Sequence, residues 1–170
     1  MKALTPIKRH KAIVSFSKEH HFGLLLVWKI RQGLKLGVDP GRISKYVLYF
    51  FREDLQKHFS EEETLLFARL PKNDPLRIQA EKEHCNINSL VKSISLDESN
   101  IGLLQQFSDD LEKHIRFEER ELFNHLQSEL DEKDLAEIGK RFSEAVDVDL
   151  NWKDLFWIIE KDGNTCAVTK

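Results

Sequence analysis

The sequence contains little of what usually interrupts or cross-links a chain. Seven glycines and four prolines stand among 170 residues, and they cluster between long segments in which apolar residues recur at helical spacing. The two cysteines, Cys85 and Cys166, form neither a CxxC pair nor a disulfide framework, which fits a reducing compartment. The pattern predicts a protein that is almost entirely α-helical.

Long apolar runs and a strong charge of one sign are missing as well. No run approaches the roughly 18 to 20 apolar residues needed to cross a bilayer. Residues 1–16 show neither the apolar core nor the small-residue cleavage site of a signal peptide. The net charge of −3 and the pI near 6.2 give no basic footprint for nucleic acid or an anionic membrane surface. We therefore expect a cytoplasmic protein that binds neither nucleic acid nor a membrane.

Proline and glycine signals divide the chain into long helices. The predicted helices run over about residues 5–34, 42–70, 75–94 and 101–126, followed by a fifth over about 132–146 and a short aromatic one over 151–159. Short connections between long helices favour antiparallel neighbours. We predict an all-α fold, an up-down-up-down four-helix bundle with additional C-terminal helices. Residues 1–148 would form the bundle with its fifth helix, and residues 149–170 a short helix and tail.

One stretch of seventeen residues occurs twice in the chain. Residues 51–67 and 107–123 are identical at nine of their seventeen aligned positions. In each copy a His is followed four residues later by a Glu, giving His58 with Glu62 and His114 with Glu118. An offset of four is about 40° around an α-helix, so each copy presents an imidazole and a carboxylate on one face.

A weaker repeat connects the first and third predicted helices. The tripeptide Lys-Glu-His occurs at residues 18–20 and again at residues 82–84, so the chain resembles two copies of one helical hairpin. Packed face to face, the hairpins would place one His from each of four helices, and a Glu from two of them, around a pseudo-twofold axis. The candidate ligands are His20, His58, Glu62, His84, His114 and Glu118.

Each of these six positions lies within an apolar stripe, which predicts that the side chains point into the core. Burying two carboxylates and four imidazoles costs several kcal/mol per charge unless the groups are paired or bind a metal. Two divalent cations would neutralise the set if each took two His and both Glu bridged between them. Such donors suit iron, manganese or zinc, and the donor set alone does not choose. Open positions for water, oxo, peroxide or a diatomic gas should remain.

Neighbouring polar residues have other predicted roles. His21 has a less apolar face than His20, so we place it at the mouth of the site or on the surface. An offset of five turns Glu63 and Glu119 about 140° from the His of their own helix, which predicts solvated faces.

Two further side chains are predicted to lie outside the site. His125 would be about 16 Å along the helix from His114, and we expect it to interact with a helix C-terminus. Cys85 would point about 100° away from His84, which favours a packed thiol over a ligand.

The four motif segments resemble the metal-binding helices of the hemerythrin-like (HHE cation-binding) family. The resemblance is carried by KEH, HFSEE, EKEH and HIRFEE, in that order, and covers roughly residues 10 to 127. It implies a non-haem di-iron centre, oxo- or hydroxo-bridged, in a four-helix bundle. It also implies roles in binding or sensing dioxygen or nitric oxide, in redox or iron sensing, or in iron delivery to damaged iron-sulfur clusters.

Two positions depart from the oxygen-carrying hemerythrins. Those proteins have a further His one turn before the position of His84, where this chain has Ala80. Their last carboxylate is an Asp five residues after the helix 4 His, whereas this chain has Glu118 at an offset of four. The pattern is closer to the repair-type and iron-sensing relatives.

The sequence therefore predicts a di-iron protein that binds or senses a small oxidant. The alternatives are an iron donor in iron-sulfur repair, a di-iron oxidoreductase, and a metal-free helical interaction module, which the buried carboxylates disfavour. Turnover needs an electron source, and the sequence shows no flavin, haem or rubredoxin-like segment, so enzymatic activity stays open. The aromatic segment at residues 151–159 either caps the bundle or binds a protein partner or a second copy.

Overall fold

The computed structural model describes residues 8–141 and 146–159, and helices make up most of the first range. No β-strand occurs in these two ranges, so the predicted all-α class is confirmed. The helices are α1 (Lys11–Lys35), α2 (residues 40–69), α3 (Pro75–Leu96), α4 (residues 101–129) and α5 (Glu132–Arg141), followed by a 3-10 helix, Val148–Asn151. None of the helices in the described part of the chain is both long and apolar enough to cross a membrane.

Short polar side chains set the starts of three helices. Asp39 accepts a hydrogen bond from the backbone N–H of Arg42 at the start of α2, and Asp74 accepts from two N–H groups of α3. Each of these Asp residues is followed by Pro at the first helical position, as the sequence predicted for Asp74. The Asn100 side chain caps α4 by accepting a hydrogen bond from the backbone N–H of Leu103. With these starts, the connections after α1, α2 and α3 are short.

Two predicted helix boundaries differ from the structure, the start of α1 and the end of α5. The structure begins α1 at Lys11, capped by the His10 side chain; the predicted Thr5-Pro6 start lies outside the described residues. Helix α5 ends at Arg141, residues 142–145 lie outside the described ranges, and Val146 is not helical.

The helix predicted over residues 151–159 is wrong. Only Asn151 is helical there, as the last residue of the 3-10 helix, and turns follow it. The adjacent Phe156 and Trp157 both bury their rings against Tyr46, at centroid distances of 5.6 and 5.0 Å. Neighbouring residues on an α-helix point about 100° apart, so irregular backbone suits this packing better. The segment thus caps its own bundle. The predicted division of the chain after residue 148 falls within the 3-10 helix and stays a prediction. Binding of a protein partner by this segment also stays a prediction.

Helices α2 and α4 each contain π-helical turns. In α2 the α-helical segments Pro40–Phe50 and Gln56–Glu61 alternate with π turns at Phe51–Leu55 and Glu62–Leu66, before a 3-10 turn at Phe67–Arg69. In α4 a π turn, Glu118–Leu122, lies between Ile101–Phe117 and Phe123–Glu129. Such turns are rare and occur frequently at functional sites. Two of them begin at equivalent positions of the repeat, at Glu62 and Glu118.

The long helices pack against antiparallel neighbours. Between α1 and α4, His20 bonds Glu119 and Arg31 bonds Asp109, so residue numbers rise on one helix as they fall on the other. A Cβ on Gly23 of α1 would come within 2.8 Å of Ile115 of α4, so glycine permits this close approach. The pairing supports the predicted up-down-up-down order of the whole bundle, which stays a prediction.

Two apolar clusters lie on either side of a polar layer. In α1, His20 falls between Phe16 of one cluster and Leu26 of the other, and α3 places His84 in the same way between Ala80 and Ile87. Helix α5 covers the cluster at the Phe16 end, and the C-terminal segment covers the cluster at the Leu26 end. The fold therefore presents its polar layer in the middle of the bundle, sealed at both ends.

Candidate metal centre

All six predicted ligands meet in this polar layer. Each is at most 3% exposed. Their potential ligand atoms form two groups of four, within 4.8 Å of one another in each group. One group combines His20 and His58 with both glutamates, and the other combines His84 and His114 with the same two glutamates. The structure thus brings together every residue that the two repeats selected.

The carboxylate of Glu62 lies between the two His pairs. Its Oε1 lies 3.4 Å from Nε2 of His20 and 3.2 Å from Nε2 of His58. Its Oε2 lies 3.3 Å from Nε2 of His84. One oxygen therefore faces each pair, as a bridge between two cations requires.

The carboxylate of Glu118 has the equivalent place on α4. Its Oε2 lies 3.0 Å from Nε2 of His20. Its Oε1 lies 3.4 Å from Nε2 of His114 and 3.8 Å from Nε2 of His84. The two glutamates are thus alike in position as well as in sequence, and each His pair receives one oxygen from each of them.

The inward atoms of the cluster have no hydrogen-bond partner. Within the described residues, this holds for Nε2 of His20, His84 and His114 and for both oxygens of Glu62 and Glu118, all of them buried. Buried polar atoms without partners are costly, and native proteins rarely leave so many together. Imidazole nitrogen and carboxylate oxygen are donors that iron, manganese and zinc accept, so the cluster fits a metal centre.

Charge within the cluster shifts the pKa values of His20, His58 and His84 upward. Burial lowers the pKa of His20, but close contacts with the carboxylates of Glu118 and Glu119 outweigh burial and leave this pKa well above the usual value. Burial also lowers the pKa of His84, and contacts with glutamates raise it to about 9. For Glu62, burial raises the pKa, yet the neighbouring imidazoles hold it well below its usual range. In metal-free protein the site therefore holds protons, which a cation displaces on binding.

Four more glutamates bind the outward nitrogens of the four histidines. The Nδ1 atoms of His58, His84, His114 and His20 donate to Glu19, Glu63, Glu83 and Glu119, respectively, over 2.7 to 2.8 Å. Each glutamate belongs to the helix before that of its histidine, and α4 completes the circle by reaching α1. We call this set the outer ring. A carboxylate on Nδ1–H fixes the ring orientation and leaves the Nε2 lone pair for a metal.

The outer ring corrects the prediction for Glu63 and Glu119. Glu119 is 30% and Glu63 is 44% exposed at the side chain, but each binds a histidine instead of facing only solvent. The rotation of about 140° from their own His points them at the neighbouring helix, which a helix-by-helix interpretation ignores. A usable signal was present, because a Glu precedes His20 and His84 and a Glu follows Glu62 and Glu118 in both halves.

Aromatic rings close the remaining faces of the histidines. Phe123 stacks on His20 with the ring centroids 5.2 Å apart and the planes 8° apart. Phe59 stacks on His84 at 4.0 Å and meets His114 edge to face at 5.7 Å. These contacts exclude water from the imidazoles and limit their rotation.

The remaining candidates lie outside the cluster. His21 is exposed and belongs to neither group of potential ligands. His125 bonds Asp74, the capping residue at the start of α3, over 2.7 Å, so it does not act on a helix C-terminus as predicted. Cys85 is an exposed free cysteine, and the prediction of a packed thiol is wrong because its helical face is turned to solvent.

Comparison with known families gives one match. A family model described as the Hemerythrin HHE cation binding domain matches residues 19–126, a range that contains all six inward residues and the whole outer ring. Comparison with curated proteins gives no match, and neither does comparison with solved structures.

Proposed function

The chain belongs to the hemerythrin HHE cation-binding domain family, and from this premise we propose that it holds two iron ions and binds or senses a small oxidant. Its ligands would be dioxygen, nitric oxide or a peroxide. The observation that carries the proposal is the placement of Glu62, which directs one carboxylate oxygen toward each of two buried His pairs. Family membership and the His/Glu cluster together support a bound metal cation.

The inward residues would divide equally between the two ions. His20 and His58 would hold one, His84 and His114 the other, and both glutamates would bridge them. Zinc or manganese would satisfy the same donors. Iron would supply redox chemistry and coordination positions that the protein leaves open. Four protein donors at each position are fewer than the six that an octahedral ion accepts.

The protein itself would orient the ligand imidazoles and select the oxidant by its size. The outer ring holds each imidazole with its Nε2 directed inward. The four histidines are between 1% and 3% exposed, so a bulky substrate has no direct access to the centre. A diatomic molecule or a peroxide is small enough to enter through side-chain motion, which supports an oxidant of that size.

One feature favours iron donation as the second candidate. Glu63, the partner of His84, is the most exposed member of the outer ring, at 44% of its side chain. Because His84 hydrogen-bonds directly to this exposed carboxylate, the cation position at His84 and His114 is close to solvent, which would ease the release of its ion. A di-iron oxidoreductase has the same centre and would differ by turnover with an added electron donor.

The test compares two adjacent histidines. Protein purified without added metal should contain about two iron ions per chain, and its optical spectrum should change when nitric oxide, dioxygen or peroxide is added. His20→Ala should lose iron and the spectral response, whereas His21→Ala, one residue away and outside the cluster, should keep both. Iron-loaded protein that responds to none of the three oxidants would refute the sensing role. Iron binding that survives His20→Ala would refute the ligand assignment.

A further inference from the structure

The outer ring is not uniform, and its best-anchored member is Glu119. Arg9, just before α1, donates to both the backbone oxygen and the carboxylate of Glu119, the latter over 3.1 Å. Its other terminal nitrogen donates to Asn124 over 2.6 Å. The Arg9 side chain is only 13% exposed. A charge-assisted, multidentate contact of this kind holds a carboxylate in one orientation.

Arg9 reaches His20 by two routes. The first runs through Glu119, whose Oε1 accepts from Nδ1 of His20 while Oε2 accepts from Arg9. The second runs through Phe123, because the guanidinium lies 5.4 Å above the Phe123 ring and that ring stacks on His20. Both contacts restrict the same imidazole, one at its edge and one at its face.

The partner of His84 has no such anchor. Among the described residues, no Lys or Arg lies within ion-pair distance of Glu63, whose side chain is 44% exposed and borders a surface cleft with Cys85 and Lys92. The His20 and His58 pair is better enclosed, since Glu19, the partner of His58, is 5% exposed. Two positions with the same inward donors therefore have unequal outer support.

We propose that Arg9 is a positioning residue that makes the two cation positions unequal in lability. It holds Glu119 and His20 in place, so the His20 and His58 position retains its cation while the His84 and His114 position releases its cation first. The inference rests on the proposed two-ion centre. Repulsion between the Arg9 guanidinium and the nearby cation does not reverse this order of release. The six glutamate carboxylates outnumber the four positive charges of two divalent cations, so Arg9 is attracted to the centre as a whole.

The test measures the release of Co²⁺ from protein loaded with two equivalents, after mixing with excess chelator, by the loss of visible absorption. The unaltered protein should release the two ions in a fast and a slow phase of equal amplitude. Arg9→Met should speed the slow phase about 10-fold or more, since loss of outer support typically costs a factor of 10 to 100 in metal affinity, and leave the fast phase unchanged. Glu63→Gln should speed only the fast phase.

Arg31→Met is the matched control. Arg31 also joins α1 to α4 through two carboxylates, Asp109 and Glu112, but their ion pairs are with arginines and not with the inward residues or the outer ring, so neither phase should change. Arg9→Lys keeps the charge and should restore part of the slow phase. This variant also tests the proposal if Arg9→Met fails to fold. Release of both ions at one rate in the unaltered protein would overturn this inference alone, as would equal acceleration of both phases by Arg9→Met. Uptake of a single ion would overturn the two-ion centre as well.

Discussion

Glu19 lies directly before the α1 residue His20, yet its carboxylate accepts a hydrogen bond from Nδ1 of His58 on α2 over 2.7 Å. Both partners are at most 5% exposed. Successive residues on an α-helix point about 100° apart, so α1 sends His20 to the centre and Glu19 to its neighbour. The Glu-His dipeptide therefore serves two helices at once, and its repeat at Glu83 and His84 does the same for α3 and α4.

Glu19→Gln should weaken cation binding 10- to 100-fold without unfolding the protein. The amide keeps the size of the carboxylate but removes the negative charge that makes His58 a stronger donor. A competition titration against a chromophoric chelator measures the change. Glu121→Gln, an exposed neighbour of the centre in the π turn of α4, is the control and should bind as the unaltered protein does. Equal affinity in both variants would show that the outer ring does not support the metal.

Much of this architecture was predictable because it repeats. The identity of residues 51–67 with residues 107–123 at nine positions selected the glutamates that begin the π turns, and the paired Lys-Glu-His segments selected His20 over His21. The π turns themselves were not predictable, since they do not change the apolar periodicity enough to be detected. The outer ring was missed because its contacts run between helices. The packing of Phe156 and Trp157 was missed because the sequence does not show that these two adjacent rings, which contact each other, pack against the same residue.

The stability of the metal-free protein should fall as the pH rises from about 6.5 to about 9. A histidine whose folded pKa is raised contributes stability that is complete below the unfolded pKa, near 6.5, and is lost through the folded pKa, about 9 for His84. The loss for this residue is on the order of 3 kcal/mol. Urea unfolding of chelator-treated protein across this range gives the free energy of unfolding. His84→Gln should flatten the profile and His21→Ala should not. Rising stability over the same range would contradict the raised pKa.

Glu62→Gln should weaken both cation positions, whereas His58→Ala should weaken only one. Glu62 directs one oxygen toward each His pair, whereas His58 belongs to only one of the two groups of potential ligands. Titration with Co²⁺ separates the outcomes, because His58→Ala should still bind one equivalent tightly. A Glu62→Gln variant that keeps one position at full affinity would show that this carboxylate does not bridge.

Asp149→Ala should destabilise the protein by roughly 3 kcal/mol and leave the metal centre intact. Lys29 is 5% exposed and donates to Tyr46 over 2.9 Å and to Asp149, while the Tyr46 hydroxyl donates to Asp149 over 2.5 Å. Removing the carboxylate leaves a buried ammonium without its counter-charge. Chemical denaturation measures the loss, and the cation stoichiometry of the folded variant should be unchanged. A variant as stable as the unaltered protein would show that this pair does not hold the C-terminal segment.

The number of cations bound per chain tests the central claim most directly. Metal-free protein titrated with Fe²⁺ without oxygen, and then weighed by native mass spectrometry, should take up two ions per chain. Replacement of both Glu62 and Glu118 by Ala should reduce uptake at both positions. Two ions in the unaltered protein and none in the double variant is the result that a carboxylate-bridged centre predicts. A single ion in the unaltered protein, or two ions retained by the double variant, would contradict it.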